Sequence, residues 1–178
     1  AVPDFLVDAG VRITKWPNKT NGRVSHTPDY ENVALRSALK NFINAMGTKY
    51  DGDPRIAFIT AGLLGSWGEW HTFPRNELWA SKQVQREVMD SYADAFSKTR
   101  ILLRYPASPE TYRLAENHRR PFGYHDDSFC WATLDTGKNK DSWFFETSLK
   151  AAGATEKWKH HPIGGEIRPE LWKTSFTA

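Results

Sequence analysis

Cysteine is nearly missing from this chain: Cys130 is the single thiol in 178 residues. One thiol makes neither an intramolecular disulfide nor a cysteine-based zinc site, so both ways of stapling a small fold are excluded. The length makes them unnecessary, because a chain of this size buries roughly 70% of its unfolded surface in an ordinary core. No run of 18 apolar residues occurs, which leaves no membrane-spanning helix. An excess of one charge is missing too, with 24 Lys and Arg against 21 Asp and Glu. The densest basic stretch, Lys157, Lys159, His160 and His161, is broken by Trp158, so a nucleic-acid partner is not expected. The glycines Gly62, Gly65 and Gly68 fit neither G-x-G-x-x-G nor G-x-x-x-x-G-K-[ST], and no nucleotide or other cofactor is implied. Residues 1–7 are apolar but carry Asp4 and lack a basic leader, so they do not read as a signal peptide.

What the chain does have is aromatic side chains, eight of them Trp, and a regular alternation of patterns. Apolar residues recur near a 3.6 period over residues 30–46 and 76–96, which predicts two amphipathic helices, the first ending at Gly47. Ser108 followed by Pro109 predicts a short helix over 108–118, and Asp141 with Ser142 predicts another over 141–153. Between them lie short apolar runs at 55–62, 100–105, 121–125 and 161–167, which read as strands. Strands separated by crossover-length helices favour βα repeats and a parallel sheet. The first 28 residues, rich in Pro and Gly, read as a long loop, with a strand over 11–15 as the alternative. Residues 170–178 begin a helical pattern that is not completed, and four strands close no barrel by themselves. Residues 1–178 are therefore expected to be one segment of a longer chain, with an open arc of about four strands.

Residues just after a strand of a βα unit lie at the carboxyl end of the sheet, where ligands bind. The stretch IAFITAGLLGSWGEWH thus puts Glu69 at a ligand face, with Trp67, Trp70 and His71 around it. Indoles that desolvate a carboxyl suit it to general-acid work. The alternative is that Glu69 pairs with a strand arginine and the Trp residues are core. In HPIGGEIRPE, Glu166 ends the fourth run, and Arg168 shares its face in extended chain, either to keep the carboxylate ionised or as a structural ion pair. Glu170, after Pro169, is a weaker candidate. The cluster YHDDSF places Tyr124, His125, Asp126 and Asp127 at the third strand end, to orient a carboxylate or bind sugar hydroxyls. Without further ligands at fixed spacing it specifies no metal. Arg104 and Tyr105 add a cation and a phenol to the same rim, and Cys130 reads as a buried, inert thiol. Of Trp67, Trp70 and Trp131, at least one is expected to show an open indole face and the rest to be core. Two glutamates with aromatic platforms are what glycoside hydrolysis uses. Asn18-Lys19-Thr20 is an N-glycosylation sequon in a Pro/Gly-rich stretch, in keeping with secretion.

The blocks DGDPRIAFITAGLLGSWGEWHTFP, RILLRYP, FGYHDDSF and HPIGGEIRPELW, with FLVDAG near the start, resemble a family of largely uncharacterised, secreted, glycosidase-like (β/α)8 barrels classed as a domain of unknown function. The resemblance covers nearly the whole chain. It implies a partial TIM barrel, with residues 1–28 as the loop after strand three and residues 29–178 as βα units four to seven. It further implies, by distant similarity to clan A glycoside hydrolases, that Glu69 is the acid/base and Glu166 the nucleophile of a retaining enzyme. In that clan an Asn commonly precedes the strand-four glutamate; here Gly68 stands in its place. The expected partner is an extracellular oligo- or polysaccharide, and the rival reading is a non-catalytic glycan-binding or structural barrel in a larger assembly. Retention needs the two carboxyl groups roughly 5–5.5 Å apart.

Overall fold

The computed structural model describes residues 2–18, 22–138, 142–167 and 171–172. The chain forms two compact units, Ala1–Lys49 with Gly62–Ala95 and Tyr50–Ala61 with Phe96–Ala178.

The first unit opens with a short helix, α1 (Asp4–Asp8), and an antiparallel hairpin of β1 (Ile13–Asn18) and β2 (Arg23–Pro28). Of the two readings of residues 1–28, a long loop or a strand over 11–15, the described residues bear out the strand, shifted to Ile13–Asn18 and joined by a second. Trp16 is buried and donates its indole N–H to Thr27 Oγ1 at 2.9 Å, which gives the hairpin an inner face. Pro17 and Pro28 argued for a loop, but in a two-stranded ribbon each strand has an unpaired side where proline costs no ladder bond.

Helix α2 (Val33–Tyr50) is capped by Asn32, whose Oδ1 accepts from the amides of Ala34 and Leu35. It runs straight through Gly47, where the sequence predicts a stop. The glycine serves close packing instead: a Cβ there would lie 2.3 Å from the carbonyl oxygen of Ala95 at the end of α3 (Lys82–Ala95). Arg36 and Glu87 tie the same two helices with paired hydrogen bonds. Helix α3 starts six residues later than expected. Residues Asn76–Leu78 form a separate 3-10 turn, Trp79 is extended, and the Ser81 hydroxyl caps the helix by accepting from the Val84 amide. Val84, Val88, Met89 and Tyr92 are its buried stripe.

The second unit contains the expected parallel sheet, in the order β3 (Phe58–Thr60), β4 (Arg100–Leu103), β5 (Gly123–Phe129), β6 (Ile163–Ile167). The fold is mixed α/β, and the sheet is consistent with part of an α/β barrel. Ile101, Leu102, Leu103, Phe122 and Tyr124 form its buried centre. Within the helix predicted over 141–153, the described residues form α4 (Phe145–Ala151), shorter than predicted. No helix forms over 108–118. Asn117, almost fully buried, takes over the bonding there: its Oδ1 accepts from the Ala107 amide, its Nδ2 donates to the Tyr105 carbonyl, and its own amide donates to the Ala107 carbonyl. An amide side chain that satisfies the backbone in this way competes successfully with helix formation. Cys130, expected to be buried, is exposed in the turn after β5 at a φ of 69°. Among the described residues no helix is long and apolar enough to cross a membrane. Most of the helical pattern at 170–178 lies outside them.

Candidate functional site

Residues paired across a parallel sheet share a face and alternate along each strand. The registers Leu102↔Gly123 and His125↔Gly164 therefore put Leu102, Gly123, His125 and Gly164 on one face, with Tyr124 and Asp126 on the other. The run YHDDSF is split by this rule. Tyr124 is fully buried and donates its hydroxyl to Asn117 Oδ1 at 2.9 Å, and burial pushes its phenol pKa up. Asp126 accepts from the Ser128 amide at 3.0 Å and the Thr133 hydroxyl at 2.6 Å, which fixes the turn after β5. His125 remains on the first face, while Asp127 stands in the irregular stretch of the β5–β6 register between Asp126 and Phe129.

His125 and Asp127 each meet another of the expected residues. Arg104, just beyond β4, sets its Nε 2.5 Å from Asp127 Oδ1, with both side chains under a tenth exposed. Its guanidinium also lies over the Tyr105 ring at 3.9 Å. A charged pair so deeply buried is retained only when each partner answers the other. Glu166 lies two residues beyond Gly164, so it shares the His125 face; its Oε2 is 3.9 Å from His125 Nε2. That is an ion-pair distance and not a hydrogen bond. Glu166 is 65% exposed, while His125 is largely buried and its Nδ1 has no hydrogen-bond partner. Gly165, beside Glu166, allows close strand approach, since a Cβ there would lie 2.6 Å from the Asp126 carbonyl oxygen. Two ion contacts thus link neighbouring strands here, Arg104 beyond β4 with Asp127 on β5 and His125 on β5 with Glu166 near the end of β6. A small pocket beside them is bounded by Arg104, His125, Asp127, Trp143, Phe145 and Ser148. Trp143 did not stand out in the sequence. Its only signal there was a tryptophan within the predicted helix of residues 141–153.

Glu69 belongs to the first unit and sits in a loop. Four of the six residues from Gly65 to Trp70 have left-handed backbone: Gly65, Trp67, Gly68 and Trp70. For the two tryptophans this conformation costs on the order of 1 kcal/mol each. The loop is closed by bonds from the Ser66 amide to the His71 carbonyl (2.7 Å) and from the Trp70 amide to the Leu64 carbonyl (3.1 Å). The Tyr30 hydroxyl accepts from the Gly65 amide at 2.9 Å. The departure at Gly68 has a steric reason. Its φ is 80°, and a Cβ there would lie 2.0 Å from the Gly62 carbonyl oxygen, so the asparagine expected from clan A has no room.

This closure aims two side chains at each other. His71 Nε2 lies 3.2 Å from Glu69 Oε2, while His71 Nδ1 accepts the Phe73 backbone N–H at 3.1 Å. Trp70 is core, edge-on to Trp79 at 6.2 Å, whereas Trp67 and Trp131 are 59% and 49% exposed. Trp131 stacks obliquely with Trp143 at 5.6 Å.

No family model, curated protein or solved structure matches the chain. The site therefore stands on its own geometry. Arg168 and Glu170 lie outside the described residues, as does the sequon beyond Asn18 at the end of β1.

Proposed function

We propose that this protein acts on an extracellular carbohydrate, as a retaining glycoside hydrolase built on a (β/α)8 barrel in which β3 to β6 are strands four to seven. The observation that carries the reading is that Arg104, just beyond β4, pairs with Asp127 on β5, and His125 on β5 lies beside Glu166 near the end of β6, toward the end of a parallel sheet at which barrel enzymes keep their chemistry. In this reading the Glu166 carboxylate attacks the anomeric carbon. Glu69 gives its proton to the leaving oxygen as the glycosidic bond breaks. Glu69 then takes a proton from water, whose oxygen displaces Glu166 from the sugar. The exposed indoles of Trp67, Trp131 and Trp143 supply flat apolar faces for sugar rings. The sides of β3 and β6 that are unpaired among the described residues would be met by further strands of the barrel, and the sequon at Asn18 fits a secreted glycoprotein.

A non-catalytic glycan binder is the second reading, favoured by the 3.9 Å gap between His125 and Glu166. Reducing-sugar release from a panel of polysaccharides separates the two. The hydrolase reading expects turnover on at least one member, lowered at least about 100-fold by Glu69→Gln and by Glu166→Gln. Saturable binding to a member of the panel without turnover would favour the binder.

A further inference from the structure

A histidine whose two ring nitrogens face different groups has its tautomer chosen by the group that cannot change roles. For His71 that group is the Phe73 backbone N–H, which only donates and lies 3.1 Å from Nδ1. Nδ1 must therefore offer its lone pair, and the single proton of the neutral ring sits on Nε2. Nε2 faces Glu69 Oε2 at 3.2 Å, so the contact is a hydrogen bond from imidazole to carboxyl. Turning the ring over would set carbon atoms against both Phe73 N–H and Glu69, losing both bonds. The strained, hydrogen-bonded loop keeps the three groups in place, because Phe73 and His71 follow directly on the closing bond from Ser66.

We infer that His71 is a positioning residue whose locked Nε2–H tautomer makes Glu69 Oε2 a permanent acceptor, so that any proton Glu69 carries and delivers sits on Oε1. A protonated Oε2 would be a poorer acceptor for the Nε2–H than a carbonyl oxygen, so the proton is favoured on Oε1. The carboxyl is thereby turned one way, and the oxygen that exchanges protons with a substrate is chosen before the substrate arrives. The use of that proton rests on the hydrolase reading; the tautomer does not.

Long-range 1H–15N correlation of the imidazoles at neutral pH tests the inference, with the His71 signals assigned by their loss in His71→Gln. The expected pattern for His71 is protonated Nε2 and unprotonated Nδ1. Glu69→Gln should move the Nε2–H proton resonance and leave the Nδ1 shift in place. An Nδ1–H tautomer, or an even mixture of the two, overturns the lock. Once a substrate is known, His71→Gln, which restores an N–H donor at the same reach, should keep more activity than His71→Leu. Equal activities would reduce His71 to a structural part. The locked tautomer with no turnover anywhere on the panel upholds the lock and removes the hydrolase reading. The wrong tautomer with turnover that depends on Glu69 does the reverse.

Discussion

Two glutamates, one in each unit, are presented by two histidines, and the supports beneath them differ. Glu69 stands on a loop closed by backbone hydrogen bonds, is 27% exposed, and has an imidazole at 3.2 Å whose other nitrogen is tied to the backbone. Glu166 stands on β6, which pairs with β5 alone among the described residues; it is 65% exposed, and its imidazole is 3.9 Å away with Nδ1 untied. The first carboxyl is held before any ligand binds. The second has its neighbours assembled but is not gripped by them. Under the proposed mechanism this difference suits a proton-transferring group on one side and an attacking group on the other, since the direction of a proton is set by a hydrogen bond and an attack by where the sugar ring sits.

The comparison can be broken on either side. The largest effect is expected on the Glu166 side from Arg104→Ala, which takes the guanidinium away from the buried Asp127 carboxylate. Stability should fall by about 3–5 kcal/mol, read by denaturant unfolding. Arg104→Lys should recover only part of that, because an ammonium has neither the Nε–H nor the flat face that lies over Tyr105. On the Glu69 side, Gly68→Ala adds a methyl 2.0 Å from a backbone oxygen at a left-handed position. A loss of about 3 kcal/mol is expected, together with loss of the His71 tautomer pattern. If that pattern survives the substitution, the loop is not what holds Glu69.

A smaller effect leaves both glutamates alone. Asp51 accepts from the amides of Ser97, Lys98 and Thr99 and from the Ser97 hydroxyl, which pins the chain entering β4. These bonds, with the Thr99 amide foremost, hold its carboxyl well below the usual carboxylate range. A depressed folded-state pKa means the contribution is complete above the ordinary pKa of about 4. It is then lost progressively as the pH falls through the lower folded-state value. Asp51→Asn should lower the melting temperature by a few degrees at neutral pH and flatten its decline between about pH 4 and 2. An unchanged acid limb would show that these bonds carry no net stability.

The sheet was legible in the sequence because short apolar runs between turn residues have few other uses; all four runs contain a strand, although β3 is shorter than its run and β5 continues to Phe129, which puts YHDDSF within the strand rather than at its end. Elements were misread where a residue has two physical roles. Gly47 ends helices by its left-handed freedom, yet here it admits Ala95. Asn117 looks like a surface residue and is the hub of a loop. Prolines suggested a loop in what is a two-stranded ribbon. Of the two glutamates, Glu166 lies on the fourth run as its spacing suggested, whereas Glu69, expected at the end of the sheet, stands in a loop of the first unit that the apolar run before it did not define. The separation of His125 from Tyr124 and Asp126 needed the strand register, and the pairing of Asp127 with Arg104 needed the fold. The bond from Phe73 to His71 needed the closed loop, since no spacing rule joins a histidine to the amide two residues on.

The most direct test of the central claim is chemical rescue of Glu166→Gly on whichever glycoside the wild-type protein cleaves. The account expects the variant to lose turnover, azide to restore it by taking the vacated place beside the anomeric carbon, and the product to be a glycosyl azide of inverted configuration. Full turnover in Glu166→Gly without azide would contradict it.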